Sequence, residues 1–170
     1  NIDFLETINH RKFHQKHGGV IPEMAARQHL DILNLFKTKI NKINFSGIDA
    51  IASTYGPGLI GGLIVGSSFA KGLSISQNKK LIPINHLQAH LLSPRLTNDI
   101  KFPYLCLLVS GGNTALVLVK NPSSFVTLGS TIDDSAGECF DKVAKALGLG
   151  YPGGPAIENL AMQGDLKSFS

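Results

Sequence analysis

The sequence predicts an α/β fold, and three observations carry that expectation. Short apolar runs of strand length stand at 49–54, 81–84, 105–109, 115–119 and 125–130. Between them lie longer stretches whose apolar residues recur at threes and fours, the period of a helix buried along one side. Three glycine-rich segments, 56–62, 110–114 and 150–155, fall at junctions between such elements. Loops of that kind at one edge of a sheet are where α/β proteins bind nucleotides and small ligands. The chain has 170 residues, enough for one good core or for one lobe of a larger enzyme. No repeat, low-complexity segment or linker marks a second complete domain, so residues 1–170 read as one partial domain. The start at Asn1 falls in mid-pattern and the end at Ser170 has no natural stop, which reads as a fragment.

Composition excludes several classes. Hydrophobic content of 43% and charged content of 16% describe an ordinary globular chain. No run of about 18 uninterrupted apolar residues is visible, so no membrane span is expected, and no signal peptide is visible either. Cys106 lies in a strand pattern and Cys139 in a helical one, which argues against a disulfide framework and for a reducing compartment. The net charge of +4 favours polyanionic partners only mildly. Its basic clusters, Arg11-Lys12, Lys37/Lys39/Lys42 and Lys79-Lys80, read most simply as solvated surface.

Taken in order, Asn1–Gly19 reads as part helix and part loop, with His10, His14 and His17 at the surface. Pro22 suits the first turn of a helix, and Glu23 suits its positive end. Ala26, Leu30, Leu33, Phe36 and Ile40 then predict a buried face, with Arg27, Asp31 and Asn34 turned elsewhere. Asp49–Thr54 is a strand that feeds Y-G-P-G-L-I-G-G. Gly56, Gly58 and Gly61 match G-x-G-x-x-G, but Pro57 removes a backbone donor and no acidic residue closes the next strand. The absence of G-K-[ST] excludes a Walker A loop. The helix over 62–77 carries Gly62, Gly66 and Ala70 at steps of four, which predicts close approach by another element and burial.

Leu81–Ile84 is a short strand, and Asn85 can cap the helix after it. His86 and His90 then stand four apart, one turn along one helix face, where a pair of imidazoles can grip a single metal ion. Spacing alone leaves two ordinary helix histidines as the simpler reading. Pro94 should end or kink this helix. Leu105–Val109 reads as a strand buried on both faces, running into Ser110-Gly111-Gly112-Asn113-Thr114. That tip is rich in residues that tolerate positive φ and expose backbone N–H groups, as an anion cradle does. A plain hairpin turn explains it equally well. Ala115–Val119 and Phe125–Ser130 complete a meander. Asp134 or Ser135 then caps a helix to Leu147, and Glu138 is placed to close a capping box with Ser135. Ala136, Phe140, Val143, Ala144 and Leu147 form its expected buried face. Gly148 and Gly150 stop it, Y-P-G-G-P is a loop, and a last helix starts at Ala156.

Six stretches together resemble one family: H-G-G-V-I-P-E-M-A-A-R-Q-H (17–29), Y-G-P-G-L-I-G-G-L-x-V-G (55–66), P-I-N-H-L-Q-A-H-L (83–91), L-L-V-S-G-G-N-T (107–114), I-D-D-S-A-G-E-C-F-D-K (132–142) and Y-P-G-G-P (151–155). They look like the TsaD family, the tRNA N6-adenosine threonylcarbamoyltransferases once described as O-sialoglycoprotein endopeptidases. The resemblance implies an actin-like/Hsp70-like/sugar-kinase ATPase fold, here one lobe and the start of the second. It implies transfer of a threonylcarbamoyl group from threonylcarbamoyl-adenylate to N6 of the adenosine next to the anticodon, in tRNAs that read codons beginning with A. Carried over residue by residue, His86 and His90 match the ligands of one divalent metal ion, iron or else zinc. Leu108, Val109, Ser110, Gly111 and Gly112 match the substrate-binding strand and loop. Asp141 and Gly154 match positions that hold the adenosine and ribose. Asp133 and Glu138 are lesser candidates, and Asp134 reads mainly as a cap. The implied partners are tRNA, a TsaB-like paralogue and a TsaE-like ATPase, with no membrane. The implied compartment is the cytoplasm, although mitochondrial members share the same motifs.

The chain departs from the family pattern at three places. Asn113 stands where the family often has His. The N-terminal E-[ST]-S-C-D strand and the C-terminal half, with the Asp that is the third metal ligand and a substrate-binding Asn, are not within these residues. The isolated piece is therefore expected to bind metal poorly and to lack activity. A metallopeptidase would need Glu beside the first histidine, but Leu87 and Gln88 follow His86. A non-catalytic partner subunit of the same complex would need neither H-x-x-x-H nor S-G-G. A sugar-kinase-like ATPase would need a phosphate-binding D-x-G-T, which is not visible.

Overall fold

The computed structural model describes residues 2, 5–8, 21–40, 42–165, 167 and 168. The expectations for His10, His14, His17 and Arg11-Lys12 lie outside the described residues. The chain divides into two compact units, Asn1–Ala89 and His90–Ser170.

The first unit is a β-α-β element with one further helix. Helix α1 runs Pro22–Ile40, with Pro22 at its first turn and Arg27 paired to Glu23 at 2.8 Å. A short 3-10 turn, Phe45–Gly47, precedes strand β1, Ala50–Gly56. Helix α2, Ile60–Ser76, returns the chain to β2, Lys80–Asn85. The two strands pair in parallel from Ala50 opposite Lys80 to Thr54 opposite Ile84, as a helical crossover requires.

Two expectations for this unit need correction. On α1, Ala26, Leu33, Phe36 and Ile40 are half-buried, Leu30 is exposed, and Ala25 is the buried residue. On α2, Ala70 and Ser74 are buried, but Ile60, Ile64 and Ile75 are exposed, so only one side of the helix is covered. The close approach belongs to Gly61 rather than Gly62. A Cβ at Gly61 would lie 2.9 Å from the Ala26 side chain, whereas one at Gly62 meets nothing within 4 Å. An apolar cavity of about 290 Å³, lined in part by Ile32, Leu33, Phe36 and Val65, lies between α1 and α2. None of the predicted site residues lines it.

The unit boundary falls within α3, His86–Leu92. Asn85 caps this helix as expected, accepting the Gln88 N–H at 3.1 Å. The α-helix stops at Leu92 and tightens into a 3-10 turn, Ser93–Leu96, that contains Pro94.

The second unit is an antiparallel meander followed by two helices. Strands β3 (Tyr104–Val109), β4 (Thr114–Asn121) and β5 (Ser124–Ser130) pair in sequence order. Leu108, Val117 and Val119 fill the inner face, and Val119 is fully buried. The opposite face corrects the expectation of a strand buried on both sides: Leu105 and Leu107 are 61% and 67% exposed, with Leu116 and Val126 exposed beside them. An unbroken apolar run shows that both faces are apolar, not that both are covered.

Helix α4, Ala136–Ala146, begins with Ser135 as its N-cap. The Ser135 hydroxyl accepts the Glu138 N–H at 3.3 Å. Asp134 does not cap; it pairs with Lys142 at 2.6 Å. Glu138 turns to Lys142 as well, at 3.2 Å, so the capping box forms in one direction only. The helix ends in a Schellman motif. Leu149 N–H reaches Ala144 O at 2.9 Å, Gly148 N–H reaches Lys145 O at 3.2 Å, and Gly148 supplies the left-handed φ of +70°. Of the expected buried stripe only Ala144 is fully buried; Phe140, Val143 and Leu147 are exposed. Helix α5 runs Gly153–Ala161, so Gly153, Gly154 and Pro155 are its first turn and not a loop.

Candidate functional site

In the second unit, two of the predicted glycine-rich segments are both fastened to α4. The first is the hairpin tip between β3 and β4. Ser110 N–H donates to Asn113 O at 2.8 Å, and the Ser110 hydroxyl accepts the Asn113 N–H at 3.0 Å, so the turn is closed from within. Neither Gly111 nor Gly112 takes a positive φ, and a Cβ at either would meet nothing within 4 Å. The tip holds residues that tolerate positive φ, but neither glycine adopts it. The glycine that the contact requires is Gly137. Its Cβ would fall 2.5 Å from Ser110 O and 2.8 Å from Gly111 Cα and N.

Around that contact the start of α4 holds the hairpin tip by two carbonyls and a hydroxyl. The Ser135 hydroxyl donates to Gly111 O at 2.6 Å. Gly137 N–H donates to Ser110 O at 3.2 Å. Ala136 N–H donates to the Thr114 hydroxyl at 2.8 Å. Orphan N–H groups of a helix start thus find partners in a neighbouring turn. Ser135 is 3% exposed, so its hydroxyl is committed to these contacts.

The second fastening lies further along the same helix. Half-buried Asp141 accepts the Gly153 N–H on Oδ1 at 2.7 Å. That places a carboxylate at the N-terminus of α5, where the helix dipole favours negative charge. Gly153 is buried, and a Cβ there would lie 2.5 Å from Phe140 O and 2.6 Å from Asp141 Cα. Asp141 stands four residues after Gly137, about 6 Å along the helix axis. One helix therefore sets Ser110–Gly112 and the Gly153–Gly154 turn on a common support. Of the predicted substrate residues, Leu108 is buried, Val109, Gly111 and Gly112 are exposed, and Ser110, Asp141 and Gly154 are half-buried. Asn113, the departure from the family pattern, is half-buried and holds Ser110 through its backbone. The lesser candidates Asp133 and Glu138 are exposed, and Glu138 is engaged with Lys142.

The predicted metal ligands both lie on α3, four residues apart. His86 is its first residue and His90 is in its last turn, and both are exposed. The end that carries His90 is anchored: Leu91 is buried, and the Tyr104 hydroxyl donates to Leu91 O at 2.7 Å. The Tyr104 ring stacks on Phe102 with centroids 5.5 Å apart, and the Arg95 guanidinium covers Phe102 at 4.0 Å. Burial pushes the Tyr104 hydroxyl above its ordinary pKa; Cys106 adds to the rise and Arg95 opposes it. Two imidazole donors four apart on a helix suit iron or zinc. Among the described residues, no three His, Cys, Asp or Glu side chains gather as a metal group.

Comparison with known proteins decides the family. The model of the family "TsaD: tRNA N6-adenosine threonylcarbamoyltransferase" matches residues 4–170. The chain belongs to the TsaD family. It is 52% identical over 160 residues to proteins named tRNA N6-adenosine threonylcarbamoyltransferase from Brucella canis, Brucella suis and Brucella ovis, a span of 92% of this chain and 45% of each relative. The chain thus spans a little under half the length of the curated relatives it matches. The mixed helices and sheets agree with the actin-like fold expected of a TsaD chain. No described helix is long and apolar enough to cross a membrane.

The sequence reading did not single out Ser135, Gly137 or Gly153 as parts of the site. Two signals were present. Gly137 is a poor helix former in the first turn of an otherwise regular helix, which marks a close backbone approach. Asp141 is a weak helix former inside the same helix, which marks a side chain with a task other than helix formation.

Proposed function

We propose that the full natural protein carrying this chain transfers the threonylcarbamoyl group of threonylcarbamoyl-adenylate to N6 of the adenosine next to the anticodon. The observation that carries the reading is the 52% identity to transferases of that name across the segment that holds both fastened turns. In the reaction the N6 amine attacks the carbamoyl carbonyl. A C–N bond forms, the bond from that carbon to the phosphate oxygen breaks, AMP leaves, and the amine loses a proton. The Gly111 and Gly112 backbone N–H groups suit the negative charge that develops at the carbonyl or phosphate. Asp141 has one oxygen engaged with Gly153, and its Oδ2 suits a pair of ribose hydroxyls. The Gly153–Gly154 turn gives the adenosine a flat backbone surface.

One divalent ion, iron or zinc, held by His86, His90 and a carboxylate beyond these residues, would polarise a carbonyl or phosphate oxygen. The partners in this reading are tRNA, a TsaB-like paralogue and a TsaE-like ATPase, in the cytoplasm or a mitochondrion. The test is a transfer assay on the full natural protein with synthetic threonylcarbamoyl-adenylate and an unmodified tRNA transcript, followed by nucleoside mass analysis. Appearance of threonylcarbamoyladenosine supports the proposal. Intact adenosine, with all components present and the metal supplied, rejects it.

A further inference from the structure

We infer that Ser135 and Gly137 are positioning residues that aim the Gly111 and Gly112 N–H groups at the anionic part of an acyl-adenylate. The inference rests on the proposed function for the identity of that anion. The aiming itself follows from peptide geometry. The bonds after Ser110 and Gly111 are not among the cis peptides of the described residues, and in a planar trans peptide the C=O and the following N–H point in opposite directions. Gly137 N–H fixes Ser110 O toward α4, so Gly111 N–H is turned away from the helix. The Ser135 hydroxyl fixes Gly111 O toward α4, so Gly112 N–H is turned away as well. Among the described residues neither N–H is engaged with a backbone carbonyl, and both glycines are exposed. Two successive N–H groups on one side of a turn form a concave anion receptor. Here the receptor is set by contacts made on its reverse side.

Close packing reinforces the aim. The Ser110–Gly111 peptide lies flat on Gly137, with three backbone atoms inside 3 Å of the position a Cβ would take. Any side chain at 137 lifts the peptide from the helix and frees both carbonyls to rotate. Ser135 has two separable tasks. As an acceptor it caps α4 through the Glu138 N–H, and as a donor it holds Gly111 O. Aspartate is a good N-cap but has no proton to donate when ionised. Ser135→Asp therefore keeps the cap and removes the hold, while Ser135→Thr keeps both.

The experiment uses the full natural protein and two readouts. The first is the change in the Gly111 and Gly112 amide resonances on titration with AMP, the leaving group of the proposed reaction, alongside the thermal midpoint. Both amides shift in the wild type and in Ser135→Thr. In Ser135→Asp the shifts are lost while the midpoint stays within a few degrees. Equal shifts in Ser135→Asp and wild type, or no shift in either, overturn the inference. The second readout is steady-state transfer: loss of one oriented donor lowers kcat by about tenfold or more in Ser135→Asp and Gly137→Ala, with the KM for tRNA unchanged. An active wild type with unaltered kcat in Ser135→Asp overturns the positioning role alone. A wild type that binds AMP at these amides but transfers nothing overturns the function reading alone.

Discussion

Gly153 and Gly154 are adjacent, yet replacing each with alanine is predicted to have opposite effects. At Gly153 a Cβ would lie 2.5 Å from Phe140 O, 2.6 Å from Asp141 Cα and 2.8 Å from Ala144 Cβ. Two of those neighbours are backbone, so α5 must move off α4 to admit it. Overpacking of this kind costs about 1–3 kcal/mol. The shift also breaks the 2.7 Å bond from Gly153 N–H to Asp141, a charge-assisted bond worth about 1–2 kcal/mol at a half-buried site. Together Gly153→Ala should destabilise by about 2–5 kcal/mol. A Cβ at Gly154 meets nothing within 4 Å, and its φ is not positive. Gly154→Ala should therefore be neutral or stabilise by up to about 1 kcal/mol, through the lower entropy of the unfolded chain. Urea unfolding of the full protein, compared at equal m-value, measures both. Equal stability of Gly153→Ala and wild type, or equal loss in the two variants, would refute the close approach of α5 to α4.

Three further predictions follow from single contacts. Asp141→Asn keeps an oxygen for Gly153 N–H, so its stability should fall by no more than about 1 kcal/mol, chiefly from lost charge at the α5 N-terminus. Its affinity for an adenylate ligand should fall more steeply, and calorimetric titration with AMP separates the two effects. Tyr104→Phe removes the donor to Leu91 O and should cost about 1 kcal/mol by thermal unfolding; no change would mean that this bond does not anchor the end of α3. Hydrogen bonds to Asp134 first, and Glu138 second, raise the Lys142 pKa above 10.5. The folded value is the higher one, so the stabilisation is complete below the ordinary lysine range and is lost as pH rises through the folded value. Lys142→Met should thus be less stable than wild type at neutral pH, with the gap closing in strong alkali; a gap independent of pH removes the ion pairs as its cause.

The elements were legible in the sequence because their signals are local. Pro22 and Glu23 mark the start of α1, Asn85 caps α3, and Gly148 stops α4 through its left-handed φ. Burial was less legible. Phe140, Val143 and Leu147 recur at helical spacing and Leu105–Val109 is apolar throughout, yet most of these residues are exposed. Periodicity reports that a face is apolar; it carries no information about which element covers it. The site divided in the same way. Ser110–Gly112, Asp141 and Gly154 stood out through their motifs. Their joint support did not, because the bonds from Ser135 to Gly111 and from Gly153 to Asp141 join residues 24 and 12 positions apart. Gly137 was the nearest trace of that support, since a glycine in the first turn of a helix lowers helix propensity and needs a spatial reason. The His86 and His90 pair illustrates the opposite case. Its spacing is a property of one helix and was readable directly, whereas a role as a ligand pair is a proposal that draws on the family resemblance.

In the proposed reaction α4 would hold the two turns as a single receptor for an acyl-adenylate. The most direct measurement is a crystal structure of the full natural protein with a non-hydrolysable threonylcarbamoyl-adenylate analogue. The expected result is a phosphate or carbamoyl oxygen within hydrogen-bond distance of the Gly111 and Gly112 N–H groups, and the ribose hydroxyls on Asp141 Oδ2. An analogue bound away from both turns, or seated there with Asp141 released from Gly153, would contradict it.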